Sequence, residues 1–126
     1  MAGSSPFTRQ SFPDGTVLFR EGDAADAAYM VESGVVEMVV RCVDGSERII
    51  GTVGPGEMFG EMGLIDDRPR MATARVAMEA MLVRIPAAAF KAQLKTVNPI
   101  MTRVLVQLAK RLRALSHELT LTPRGD

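Results

Sequence analysis

Glycine-centred turn signals cut the first 85 residues into runs too short for helices, and this punctuation constrains the fold more than any other feature. Pro13-Asp14-Gly15, Glu21-Gly22-Asp23, Ser33-Gly34, Asp44-Gly45 and Gly54-Pro55-Gly56 each join residues that preset or tolerate turn backbone. Between them lie apolar, β-branched runs. Thr16–Arg20, Tyr29–Val31, Val35–Arg41 and Arg48–Val53 read as strands, and Asp44-Gly45 is a hairpin signal between the last two. Further on, 72–78 and 80–85 read as a final pair, and the chain enters the fold over Phe7–Phe12. Short strands separated by turns every ~8–12 residues point to a β-sandwich or β-roll.

The punctuation stops at Pro86. Ala87 to Lys95 is alanine-rich without strand alternation, and proline suits the first turn of a helix, so 86–95 is expected to be helical. Asn98-Pro99 is a second start signal, with Asn as cap and Pro at the first helical position. The long helix is expected over 99–119, because Pro123 and Gly125 lie just beyond. Met101, Leu105, Leu108, Leu112, Leu115 and Leu119 recur at steps of four and three, an a/d seam. At 1.5 Å per residue this helix spans roughly 30 Å. Residues 1–6 read as a disordered arm and 120–126 as a flexible tail.

Composition removes several function classes. Fifteen basic and fifteen acidic residues cancel, so no net field recruits nucleic acid or an anionic membrane. No apolar run approaches the ~20 residues of a membrane span, and Met1–Ser5 lacks the apolar core of a secretory signal. Cys42 allows no internal disulfide, so a cytoplasmic, reducing compartment is expected. A single histidine, His117, argues against a metal site and against a cupin-type enzyme. No enzyme activity and no cofactor are expected.

The chemistry lies in Phe59–Val76. Gly60 and Gly63 let the main chain approach a ligand, Glu61 offers an acceptor for a sugar hydroxyl, and Arg70 offers a forked cation for a phosphate. A helix start adds N–H groups and a favourable dipole. Together these residue types suit a small phosphosugar. Gly60-Glu61-Met62-Gly63-Leu64-Ile65, a short spacer, and then Pro69-Arg70-Met71-Ala72-Thr73 resemble the phosphate-binding cassette of the cyclic nucleotide-binding domain family. Phe12–Gly34 and Gly54–Phe59 fit the strands and turns that precede the cassette in that family, so the likeness covers most of the chain.

The resemblance implies a fold that is mainly β with C-terminal α: an antiparallel, jelly-roll-like β-roll of about eight strands over 7–85, followed by two helices, with 7–119 as the domain. It implies a module that binds a cyclic nucleotide and relays occupancy through those helices. Glu61 would accept from the ribose 2′-hydroxyl, Arg70 would hold the phosphate, and Gly60, Met62, Gly63, Leu64, Met71 and Ala72 would complete the cassette. Gly63 stands where the family often has alanine, a harmless change by sequence. Met71 lacks the hydroxyl that favours guanine, which leans towards cAMP over cGMP. Met38, Val40 and Phe59 are candidate pocket walls. Leu108, Arg111, Leu112 and Leu115 are candidates for a lid over the base.

Arg68 and Arg75 are rivals to Arg70, but only Arg70 follows the proline at the family position. Asp66 and Asp67, adjacent in a turn, point apart and read as solvated spacers. Lys110, Arg111 and Arg113 read as a solvated face rather than a nucleic-acid contact. His117 is expected to be exposed. The alternative is an interaction module with weak or vestigial nucleotide binding, a homodimer through Met101, Leu105, Leu108, Leu112 and Leu115. The first half of this seam folding back on the roll is the competing outcome. No effector segment is recognised after Leu119, so the effector is unidentified.

Overall fold

The computed structural model describes residues 7–121, with side chains to residue 117. The strands are β1 (Thr8–Phe12), β2 (Val17–Phe19), β3 (Ala27–Arg41), β4 (Glu47–Val53), β5 (Met58–Phe59) and β6 (Thr73–Pro86). The helices are α1 (Met62–Asp66), between β5 and β6, and α2 (Ala87–Leu94) and α3 (Pro99–Leu121) at the C-terminal end. All strand pairings are antiparallel and belong to one sheet, ordered β1-β6-β3-β4, with β2 added to β6 and β5 to β3. The fold is mainly β with C-terminal α.

Runs that read as separate strands merge. Ser33-Gly34 is not a turn between strands but an irregularity inside β3, where the register against β6 shifts between Val31 and Val36. Gly34 has φ +87°, and a Cβ there would sit 2.2 Å from the Glu79 carbonyl oxygen and 2.6 Å from the Ala80 Cα. Only glycine fits, so the strand bends at this point instead of ending. Residues 72–78 and 80–85 likewise form one strand, β6. The expected hairpin at Asp44-Gly45 joins β3 and β4, with Arg41 opposite Glu47.

The core lies between β3 and β6. Val31, Val36, Val76 and Leu82 are at most 1% exposed. Burying each such side chain contributes about 1.5–3 kcal/mol. Phe19, Tyr29 and Phe59 form an aromatic group at one end of this core, with Tyr29 and Phe59 stacked at 5.2 Å between ring centres. β5 pairs Phe59 with Tyr29 and Met58 with Met30, which ties the start of the 59–76 segment to the roll.

Asn98 caps α3 as expected, its side-chain oxygen accepting from the Ile100 N–H at 2.8 Å. The helix continues to Leu121, two residues past its expected end, so Thr120 and Leu121 are helical and not tail. The arm over 1–6 and the tail over 122–126 lie outside the described residues.

The seam of α3 does not fold back. Met101, Leu108, Leu112 and Leu115 are exposed, as are Ile100 and Val104. Leu105 is half-buried, and the side chain of Leu119 lies outside the described residues. The inward face is a neighbouring stripe through Val106, Ala109, Arg113 and Ser116. It packs principally on α1. Among the described residues no helix is long and apolar enough to cross a membrane.

Candidate functional site

Phe59, Gly60, Glu61, Met62, Gly63, Arg70, Met71 and Ala72 line one cavity of about 190 Å³, together with Phe19, Met38, Val53 and Met58. The segment is shaped by its glycines. Gly60 has φ +79°, and a Cβ there would stand 2.9 Å from Arg70 Nη1 and 3.2 Å from the Phe19 ring. This turn swings the chain from β5 into α1, with Glu61 at the helix start. Leu64 and Ile65 donate to the Glu61 carbonyl at 3.0 and 3.1 Å. The first-turn N–H groups of Met62 and Gly63 lie at the start of the helix, that of Met62 turned to the Glu61 carboxylate.

At Gly63 the packing of this chain requires glycine. A Cβ there would lie 2.5 Å from the Ala25 Cβ and 2.8 Å from the Arg68 carbonyl oxygen. The β2–β3 loop packs directly on the bare backbone of α1.

Arg70 is 4% exposed. Its Nη1 donates to the Gly60 carbonyl and its Nη2 to the Ala27 carbonyl, both at 2.6 Å. The guanidinium lies 3.8 Å over the Phe19 ring, a cation–π contact. Its ion-pair partner is Asp26, at 3.3 Å, an exposed carboxylate shared with Arg84. Arg70 Nε is buried and has no acceptor among the described residues. Burial pulls the guanidinium's pKa down, and Asp26 opposes this. The backbone is pinned as well: the Arg70 N–H donates to the Asp23 carbonyl and the Gly22 N–H to the Arg70 carbonyl. The charge is thus only partly neutralised, and the attraction between it and an anion brought to it would be little screened by solvent.

Glu61 is half-buried at the same cavity. Burial raises its pKa above the ordinary glutamate range, while its own N–H, that of Met62 and the charge on Arg70 act the other way. The acid and the guanidinium thus share one cavity, with apolar side chains from Phe19, Met38, Val53, Met58, Phe59, Met62, Met71 and Ala72 around them. None of these carries a hydrogen-bonding nitrogen or oxygen in its side chain.

The rivals of Arg70 lie elsewhere. Arg75 pairs with Glu37 and Glu47 on the sheet surface, each at 3.3 Å. Arg68 is exposed and lines a shallow depression beside Lys91.

Several expectations need correction. Val40 is buried but lines a second hollow beside Arg41 and Arg75: two residues on from Met38 it would share Met38's face in a regular strand, but the register of β3 against β4 shifts between Met38 and Val39. Leu64, expected to offer its N–H at the helix start, donates it to the Glu61 carbonyl at 3.0 Å, and its side chain is buried under the cassette. Leu108, Arg111, Leu112 and Leu115 are exposed on α3 and do not line it in this conformation. Asp66 is no solvated spacer: its side chain is 4% exposed and bonded to Arg113. Arg113 therefore leaves the solvated face assigned to it. Asp67 is exposed but pairs with Lys91 of α2 at 2.7 Å. Phe19 and Val53 were missed, since their place in the cavity comes from the roll's curvature and not from any local motif. Met58, next to Phe59, was legible only as a lead-in. His117 is exposed, as expected.

The family model for the cyclic nucleotide-binding domain matches residues 9–97, well over half of the chain. The chain is 34% identical over 117 residues to the cyclic AMP receptor protein of Thermus thermophilus, a match covering 93% of this chain and 54% of that protein. It is 37% identical over 92 residues to the cAMP-dependent protein kinase regulatory subunit of Emericella nidulans, covering 73% of this chain and 22% of that one. Among solved structures, the EAL enzyme Bd1971 in its cAMP-bound form superposes with a TM-score of 0.79 at 31% identity, covering 84% of this chain and 28% of that one. The cGMP-bound form of the same enzyme gives 0.78 at 29% identity, covering 94% and 29%. The chain spans about half the length of the receptor protein and less of the other two.

Proposed function

This chain belongs to the cyclic nucleotide-binding domain family, and from that membership we propose that it binds cAMP in preference to cGMP and relays occupancy through α2 and α3. The observation that carries the reading is Arg70: a buried guanidinium with one N–H unaccepted, beside the cavity that Glu61 also lines. In this reading the ring phosphate takes Arg70 and the first-turn N–H groups of α1. Glu61 accepts from the ribose 2′-hydroxyl.

The cavity is smaller than the ~300–1,000 Å³ usual for ligand pockets. It suits the sugar and phosphate and leaves the base towards Met58 and Met71. Met71 offers the base no side-chain donor, and that supports the preference for cAMP. Covering the base then requires α3 to move, because Leu108, Arg111, Leu112 and Leu115 now stand away from the cavity. A nucleotide drives such a shift only by binding one helix position more tightly than the other.

Calorimetry with cAMP and cGMP on the wild type, Arg70→Ala and Arg68→Ala tests this. Loss of a charge-assisted hydrogen bond, about 1.5–3 kcal/mol, predicts at least a tenfold loss of cAMP affinity in Arg70→Ala. Arg68→Ala is expected to stay within about twofold, since an exposed charge contributes little. Equal losses in the two variants would overturn the assignment.

The exposed stripe of Met101, Val104, Leu108, Leu112 and Leu115 supports a compatible second reading, pairing of α3 with its copy. Sedimentation as a monomer with and without nucleotide would remove it.

A further inference from the structure

α3 is held to the body mainly through α1, and the centre of that contact is polar. Asp66, the last residue of α1, meets Arg113 in a forked pair: Arg113 Nε donates to Oδ2 and Nη2 to Oδ1, the latter at 3.0 Å. Their side chains are 4% and 17% exposed. Ala109 and Ser116, one turn to either side of Arg113, are buried on the same face of α3. Asp66 Oδ1 also accepts from the Arg68 N–H at 3.1 Å, which fixes the carboxylate's orientation. The other adjacent acid, Asp67, has φ +55° and turns to Lys91 of α2. Consecutive carboxylates thus hold the two C-terminal helices separately, one buried and one exposed.

The other end of α1 faces the cavity. Five residues at 1.5 Å rise make about 7.5 Å of helix, short enough to move as one piece. Glu61 and the first-turn N–H groups stand at its start, and Asp66 stands at its end. A forked pair fixes direction as well as distance, and a part-buried one is screened by salt much less than an exposed one.

We propose that the Asp66–Arg113 pair is the joint that carries displacement of α1 to α3, with both residues acting as positioning residues and not as ligand contacts. The inference rests on nucleotide binding at the cavity. Coupling of this kind is reciprocal, so a ligand that shifts α1 shifts α3 only while the joint holds.

The test measures amide hydrogen exchange over residues 101–115 in the full chain, with and without saturating cAMP, alongside calorimetry. The doubly neutral variant Asp66→Asn with Arg113→Gln leaves no buried charge unpaired. Arg113→Lys keeps the charge, loses the fork and guards against misfolding of the first variant. In the wild type, cAMP is expected to change exchange over 101–115. In the neutral variant, cAMP still binds, but that change falls to less than about a third, within the range of ordinary allosteric coupling. Arg113→Lys is expected to fall between. A purely structural role would raise exchange equally with and without cAMP and leave the difference intact. Binding with an undiminished α3 response in both variants overturns the joint alone. Failure of the wild type to bind either nucleotide overturns the functional reading and the joint together.

Discussion

Between β3 and β6 the chain is held by a long antiparallel ladder and by Val31, Val36, Val76 and Leu82, which water does not reach. Between α1 and α3, among the described residues, the polar link is the forked Asp66–Arg113 ion pair. Apolar burial is non-directional and spread over many contacts, so the roll resists displacement as a whole. An ion pair concentrates the attachment at one point and specifies an angle. The roll supplies the fixed wall of the cavity, through Phe19, Met38 and Val53. In the proposed function, the segment carrying Glu61 and Arg70 supplies the wall on which a ligand would pull.

The largest expected effect is on the fixed side. Leu82→Ala is expected to lower unfolding stability by about 2–5 kcal/mol, as for other fully buried leucines, measured by urea denaturation. A loss below about 1 kcal/mol would mean that the roll is looser than its burial implies, and the contrast would fail.

The next effect lies at the cavity. Glu61's pKa is raised in the folded chain, while the proposed contact to the ribose hydroxyl is stronger to the carboxylate than to the neutral acid. Affinity for cAMP is therefore expected to fall on acidification through that raised value, by at most about tenfold per pH unit. Glu61→Gln should give weaker and flat binding over the same range. Folding responds in the opposite sense. A raised folded-state pKa contributes stability below the unfolded value, and that contribution is lost as pH rises through the folded one. Calorimetry across pH on both proteins reads the difference, and a parallel pH profile in Glu61→Gln would assign the titration elsewhere.

The smallest effect sharpens the comparison between the two acids. The Asp67–Lys91 pair is exposed on both sides, so Lys91→Ala is expected to change stability by less than about 1 kcal/mol. Thermal unfolding reads it, and a larger loss would make α2 a second joint of the same kind as α3.

Much of this was legible one residue at a time. The turn residues, the change of texture at Pro86 and the Asn98 cap act over a few residues, and each marked its element. The cassette was legible because Gly60, Glu61 and Arg70 lie within one short segment whose spacing is its geometry. Local signals also misled: Ser33-Gly34 reads as a turn, yet Gly34 bends a strand that the partner β6 keeps paired.

By itself, the sequence determined the β-then-α order, the segment that forms the cavity and the chemistry it offers, because these depend on backbone preference and on neighbours close in the chain. Tertiary structure alone decided which stripe of α3 turns inward, that Phe19 and Val53 reach the cavity, and that Asp66 is buried with Arg113. Those outcomes depend on residues brought together from 47 positions apart by the curl of the sheet. The seam of α3 and its inward stripe are both amphipathic, and only the place where α1 stands chooses between them.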